Sequence, residues 1–281
     1  MQTQRLSDKP QTNNIFEWET QNMNKKVLMI TDLEGISGIA KIEQVMDTDS
    51  PDYIHSREYL MADVNAAVAG CFDGGAENVY VWDGHGGGVN FIPGMLDARA
   101  TQIDGKTIMS IIRDCDVLML VGMHAMSGTQ KAFLDHTQSS ATIFDYKYNG
   151  IRRGEITQEC IFAGYFGIPC VMVTGDRAAC EEAKALLPGV ITAEVKCAEV
   201  RNTAICLPPE EAHKRVYDAA AAGMALEGIA PFDPGFPLTI EVTFTRADYC
   251  DMHDTEWRER VDARTMRRIS NQVESYYDIL I

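Results

Sequence analysis

Short apolar runs alternate with amphipathic stretches along this chain, and that alternation predicts an α/β fold. Residues 26–31 (KVLMIT), 78–82 (NVYVW), 116–121 (DVLMLV) and 170–174 (CVMVT) are runs of strand length without polar alternation. Such runs belong in central strands of a mostly parallel sheet covered on both faces. Residues 57–72 repeat apolar side chains at helical spacing, with Leu60, Val64, Ala67, Val68 and Cys71 on one face, and Asp73-Gly74-Gly75 ends the helix. Asn149-Gly150, between residues 141–148 and 151–153, marks a hairpin. Further helices are predicted from Gly154 to about Tyr165, from a cap at Asp176 to about Leu187 before Pro188-Gly189, and over residues 208–225. Residues 238–244 (LTIEVTF) alternate, as an antiparallel or edge strand does.

The expected architecture is a three-layer α/β fold around a mostly parallel sheet, with an intertwined or appended α+β subdomain. A soft change of composition near residues 200–210 separates an α/β region (25–200) from an α+β C-terminal part (201–281). Residues 1–24, rich in Gln, Asn and Thr, are expected to form a disordered extension, and they lack the apolar stretch of a signal peptide. No apolar run approaches the ~20 residues of a membrane span.

Charge narrows the classes of partner. The 281 residues carry 25 Lys and Arg against 41 Asp and Glu, a net charge of −16. Nucleic acid is a poor fit, because phosphate binding needs clustered cations. The basic run of Arg264, Arg267 and Arg268 lies among acids and reads as a solvated face. An acidic protein favours cationic ligands such as a free amino terminus. Eight cysteines without Cys-x-x-Cys spacing suggest neither a disulfide framework nor a zinc ribbon. Cys71, Cys160, Cys170 and Cys206 read as buried small hydrophobes, and the pattern fits a reducing cytoplasm.

The candidate chemistry sits at the ends of the predicted strands. The first run leads into Asp32-Leu33-Glu34-Gly35, the second into Asp83-Gly84-His85-Gly86 and the third into Gly122-Met123-His124. Open parallel sheets bind ligands beyond the carboxyl ends of their strands, so these groups should converge. Glu155 opens the helix after the hairpin and can face the same rim. Imidazole nitrogen together with carboxylate oxygen suits zinc and similar ions, and a carboxylate can bridge two of them. Taken singly, Asp32 could be a turn residue, Glu34 a loop acid, His85 a polar turn residue, His124 a satisfied core histidine and Glu155 a first-turn acid. Those readings do not explain why every candidate falls at a strand end or a facing turn. His136, in Leu134-Asp135-His136-Thr137, is a candidate general acid/base or oxyanion stabiliser, with Asp135 available to orient its ring. His55, His213 and His253 receive no role.

Three other motifs fail on spacing. His85-Gly86-Gly87-Gly88 matches an esterase oxyanion loop, but no G-x-S-x-G elbow accompanies it, and Gly35-Ile36-Ser37-Gly38 is misspaced. Gly84-x-Gly86 is followed by Val89 where a dinucleotide fingerprint needs glycine. No phosphate loop of the G-x-x-x-x-G-K-[ST] type occurs.

The ordered set Asp32-x-Glu34-Gly35-Ile36-Ser37-Gly38, Asp83-x-His85, Gly122-x-His124-Ala125, His136 and Gly154-Glu155 resembles the zinc-dependent D-aminopeptidases of dipeptide-transport operons. The likeness runs from Lys26 to about Arg201 and includes the strand 169–174 with Gly175-Asp176-Arg177-Ala178-Ala179. It implies two zinc ions per subunit: Asp32 bridging both, Glu34 and His85 completing one site, His124 and Glu155 the other. His136 would be the catalytic histidine beside them. It also implies removal of amino-terminal D-residues from short peptides by metal-activated water, and a ring-shaped homo-oligomer. The chain departs from the family pattern in a stretch from His124 to His136 that is one residue longer, in Asp135 replacing a small polar residue, and in Leu33 replacing Met. Two rivals are a binuclear hydrolase of another small amide or phosphoester, and a non-catalytic peptide-binding or assembly protein.

Overall fold

A computed structural model of the chain describes residues 24–253 and 255–281. Apart from Asn24, the expected N-terminal extension lies outside the described residues. Seven strands form the main sheet: β1 (Lys25–Thr31), β2 (Ala76–Asp83), β3 (Thr101–Ile103), β4 (Val117–Met123), β7 (Cys170–Asp176), β8 (Ile191–Val200) and β9 (Thr203–Cys206). Their spatial order is β3-β2-β1-β4-β7-β8-β9. All neighbours are parallel except β8 and β9. The unbroken apolar runs of β4 and β7 are buried at every position, and β1 at its last five. β2 differs from its expected full burial. Its positions alternate, with Tyr80 and Trp82 only half-buried.

The chain leaves β1 toward β2 and β3, then returns to place β4 on the other side of β1. That reversal is a topological switch point, where diverging loops leave a crevice beyond the strand ends. Helices α1 (Pro51–Asp73) and α4 (Pro209–Met224) pack together on one face of the sheet. Helices α2 (Glu155–Tyr165) and α3 (Arg177–Leu186) cover the other. Helix α1 begins six residues before the expected Arg57. Ser50 Oγ accepts the Tyr53 N–H at 3.1 Å and Pro51 fills the first turn, a start signal that apolar periodicity does not reveal. The predicted Asp176 cap forms, with Asp176 Oδ1 accepting the Ala179 N–H at 3.0 Å.

A second, antiparallel sheet lies beyond α2, built from β5 (Ile143–Tyr148), β6 (Ile151–Arg152), β10 (Leu238–Phe244), β11 (Glu259–Arg260) and β12 (Thr265–Ser270) in the order β11-β12-β10-β5-β6. β10 is antiparallel as expected but central, not an edge. It alternates because Leu238, Ile240, Val242 and Phe244 face the core while Glu241 faces outward between Arg267 and Lys147. The basic run is taken up locally: Arg267 pairs with Glu241 and Glu259, Arg268 with Asp278, and Arg264 donates to the Thr245 carbonyl. No disulfide links the eight cysteines, and Cys206, expected to be buried, is half-buried on β9 at the sheet edge. Among the described residues no helix is long and apolar enough to cross a membrane.

Candidate metal centre

The site is assembled where β1, β2 and β4 end. Gly35 N–H donates to the Gly122 carbonyl at 2.7 Å, which folds the segment after β1 across the end of β4. A Cβ on Gly35 would lie 2.1 Å from the Met123 carbonyl oxygen, and one on Gly122 (φ +80°) would lie 2.3 Å from the Asp32 oxygen. Only glycine allows the two strand ends to approach this closely. The segment is held from behind by Asp63 of α1, which accepts both the Ser37 N–H and the Ser37 hydroxyl at 2.7 Å.

Two clusters result. Asp32, Glu34 and His85 form one, and His124, His136 and Glu155 the other, with the ligand-capable atoms of each within 4.8 Å of one another. Asp32 spans them. Its Oδ1 lies 3.0 Å from His85 Nδ1, and its Oδ2 lies 3.3 Å from His124 Nε2. His85 Nδ1 is also 3.0 Å from Glu34 Oε2, and His124 Nε2 is 3.3 Å from Glu155 Oε1. His124 donates Nδ1–H to the Ala125 carbonyl at 3.0 Å, so Nε2 is the nitrogen turned toward the carboxylates. Glu155 occupies the first turn of α2, where the helix dipole favours an anion, and accepts the Gln138 N–H at 2.6 Å.

These groups fit a metal by their unmet needs. Asp32 Oδ2, Glu34 Oε2 and His124 Nε2 are buried without a hydrogen bond, although oppositely charged groups stand 3.0–3.3 Å away. Buried polar atoms left without a partner are costly, and several converging on one space mark a position for a ligand they share. Without an ion, each imidazole is held between carboxylates. His85 is raised well above its usual range because Glu34 and Asp32 outweigh its burial, and His124 is raised because Glu155 and Asp32 do the same. Burial is more than offset by His85 in Glu34, which is held well below the carboxylate range, and by His124 in Glu155, held at about 2. Burial and the neighbouring Glu34 instead push Asp32 up to about 6.

His136 stacks on His124, ring centroids 4.0 Å apart and planes within 9°. Its Nδ1 lies 2.8 Å from the Leu134 carbonyl, so the N–H sits there and Nε2 faces Glu155 Oε1 at 3.7 Å. Asp135 was a candidate to orient this ring, but the Leu134 carbonyl does so. The Asp135 carboxylate accepts the Gly128 N–H at 2.7 Å and pairs with Arg201 at 3.1 Å. Asp83 joins neither cluster. It accepts from the Asn90 backbone and side chain, and Asn90 in turn donates to the His85 carbonyl, which fixes the glycine-rich turn carrying His85.

A family model for D-aminopeptidases, peptidase family M55, matches residues 25–281. The chain belongs to the D-aminopeptidase family. A D-aminopeptidase of Bacillus subtilis (strain 168) is 29% identical over 228 residues, which span 78% of this chain and 81% of that relative. Among solved structures, the Zn-dependent D-aminopeptidase DppA from Bacillus subtilis, described as a self-compartmentalizing protease, shares the fold. The TM-score is 0.83 at 23% identity, over 90% of this chain and 94% of that one.

In this D-aminopeptidase-family chain, sequence reading missed one buried cation. Lys196 on β8 is 1% exposed. Its ammonium donates to the carbonyls of Glu34, Ile36 (2.7 Å) and Ile39 (2.8 Å) and lies 4.6 Å from the centre of the Phe133 ring. Burial pulls its pKa down to about 8. Lys196 between Val195 and Cys197 in the middle of a strand was the available signal, as was Asp63 on the apolar face of α1. Lys196→Met should orphan three buried carbonyls at ~1–3 kcal/mol each, a loss of about 3 kcal/mol or more. Denaturant unfolding of the two proteins checks this, and equal stability would show that the carbonyls find other donors.

Proposed function

We propose that this protein is a binuclear zinc aminopeptidase that removes the N-terminal residue, of D configuration, from short peptides. The observation that carries the reading is the pair of adjoining clusters joined by Asp32, with buried ligand atoms that lack hydrogen bonds. Asp32, Glu34 and His85 would hold one ion, and Asp32, His124 and Glu155 the other. When bound, such a pair polarises a water and the substrate carbonyl. The protein's own part is positional. The buried strand ends hold the carboxylates in place, and His136, with Nε2 turned to the cluster, takes a proton and returns it to the departing amine. The net charge of −16 favours a cationic substrate end such as an ammonium.

Metal analysis of the purified protein, with hydrolysis of D-Ala-D-Ala beside L-Ala-L-Ala, tests the proposal. Two zinc ions per chain and preferential cleavage of the D,D peptide are expected, and protein inert toward both after zinc addition would overturn it. Loading metal-free protein near neutral pH should release about two protons per chain, since ligand imidazoles must lose theirs. Calorimetry in buffers of different ionisation heat reads that number. A heat independent of buffer would exclude His85 and His124 as protonated ligands.

The same reading includes a closed homo-oligomer in the cytoplasm. The self-compartmentalizing fold relative and the absence of disulfides support it. Light scattering of the purified protein would reveal a monomer if the assembly is wrong.

A further inference from the structure

A cleft of about 250 Å³ is lined by Glu34, His85 and His136 of the two clusters and by the apolar Val45 and Met46. Arg201 also lines it, and among its described lining residues Arg201 is the only lysine or arginine. The turn from β8 to β9 that carries Arg201 is fixed against the His136 loop, because the Leu134 N–H donates to the Arg201 carbonyl at 2.8 Å. A guanidinium has five N–H donors. Three are committed here: Nε and Nη2 donate to the Asp135 carbonyl at 3.4 and 3.2 Å, and Nη1 donates to Asn202 Oδ1 at 3.1 Å, while Asp135 Oδ1 pairs with Nε at 3.1 Å. One N–H on Nη1 and one on Nη2 remain without an acceptor among the described residues.

Two donors on neighbouring nitrogens of one planar group match the two oxygens of a carboxylate. Asp135 and Asn202 hold the group in place, so little side-chain entropy is lost when an anion docks. The cleft is small beside ordinary ligand pockets of ~300–1,000 Å³. We propose that Arg201 binds the terminal carboxylate of a peptide lying in this cleft, so that the protein selects free di- and tripeptides over the N-termini of long chains. The inference rests on the aminopeptidase reading for the placement of the substrate's other end.

The test uses zinc-loaded protein and a D-Ala-D-Ala analogue whose scissile carbonyl is replaced by methylene, as the free acid and as the C-terminal amide. Calorimetry should show the acid binding roughly ten- to a hundred-fold more tightly, the worth of one charge-assisted contact. In Arg201→Gln that ratio should fall to about one, and Arg201→Lys, which keeps the charge without the fork, should lie between. The ratio compares two ligands on one protein, so a general loss of folding or a shift of His136 cancels from it. Equal binding of acid and amide to the unaltered protein, or a ratio that survives Arg201→Gln, would overturn the proposal. Turnover of D-Ala-D-Ala reports separately on hydrolysis: an inert protein with the ratio intact sinks the aminopeptidase reading and leaves the carboxylate site standing.

Discussion

Replacing Asp32 by alanine is expected to empty both halves of the metal centre. Its two oxygens face different clusters, Oδ1 toward His85 and Oδ2 toward His124, so the side chain belongs to both. Loss of the ions removes several kcal/mol of transition-state stabilisation, and turnover of D-Ala-D-Ala should fall on the order of a thousand-fold. Glu34→Gln provides the contrast, since Glu34 stands in one cluster only. Zinc analysis should therefore find about two ions per chain in the unaltered protein, about one in Glu34→Gln and none in Asp32→Ala. Asp32 is 6% exposed and carries an uncompensated oxygen, so alanine there also removes a desolvation cost, and the metal-free fold should persist. Retention of two ions by Asp32→Ala would refute the shared role.

His136→Ala should cost turnover on the order of 10²–10⁴-fold while leaving zinc bound. The geometry leaves the second half of that statement open to a sharp test. His136 stacks on His124 and its Nε2 lies within ligand range of the same cluster, so a histidine that binds metal and one that moves protons occupy similar positions. Zinc content separates them. Retained metal with lost turnover identifies a proton carrier, whereas loss of one ion makes His136 a ligand. A kcat that falls with KM nearly unchanged would fit a group used in the transition state alone.

The unequal legibility of the site follows from how each residue is specified. Asp32, Glu34, His85 and His124 were readable because they directly follow apolar runs, and a parallel sheet turns that position in sequence into one location in space. Glu155 was readable as the first residue of a helix after a hairpin. Asp83 satisfied the same rule, yet it faces Asn90 and joins neither cluster, because β2 ends at Asp83 and the chain to His85 no longer follows strand geometry. Asp135 stood next to His136 in sequence and still turned toward Gly128 and Arg201. Adjacency along the chain does not fix the direction of a loop side chain.

Apolar runs, helical spacing and turn residues are local. They were enough to determine the α/β class, the buried central strands, the Asn149-Gly150 hairpin and the set of strand-end residues with metal-binding chemistry. Tertiary structure decided the partners. It placed β10 in the middle of its sheet, closed two clusters around Asp32, and brought Lys196 to the carbonyl of Glu34 across 162 residues of chain. A buried charge or an unpaired carboxylate is tolerable only when distant groups meet it, and which groups those are depends on packing that no single segment encodes.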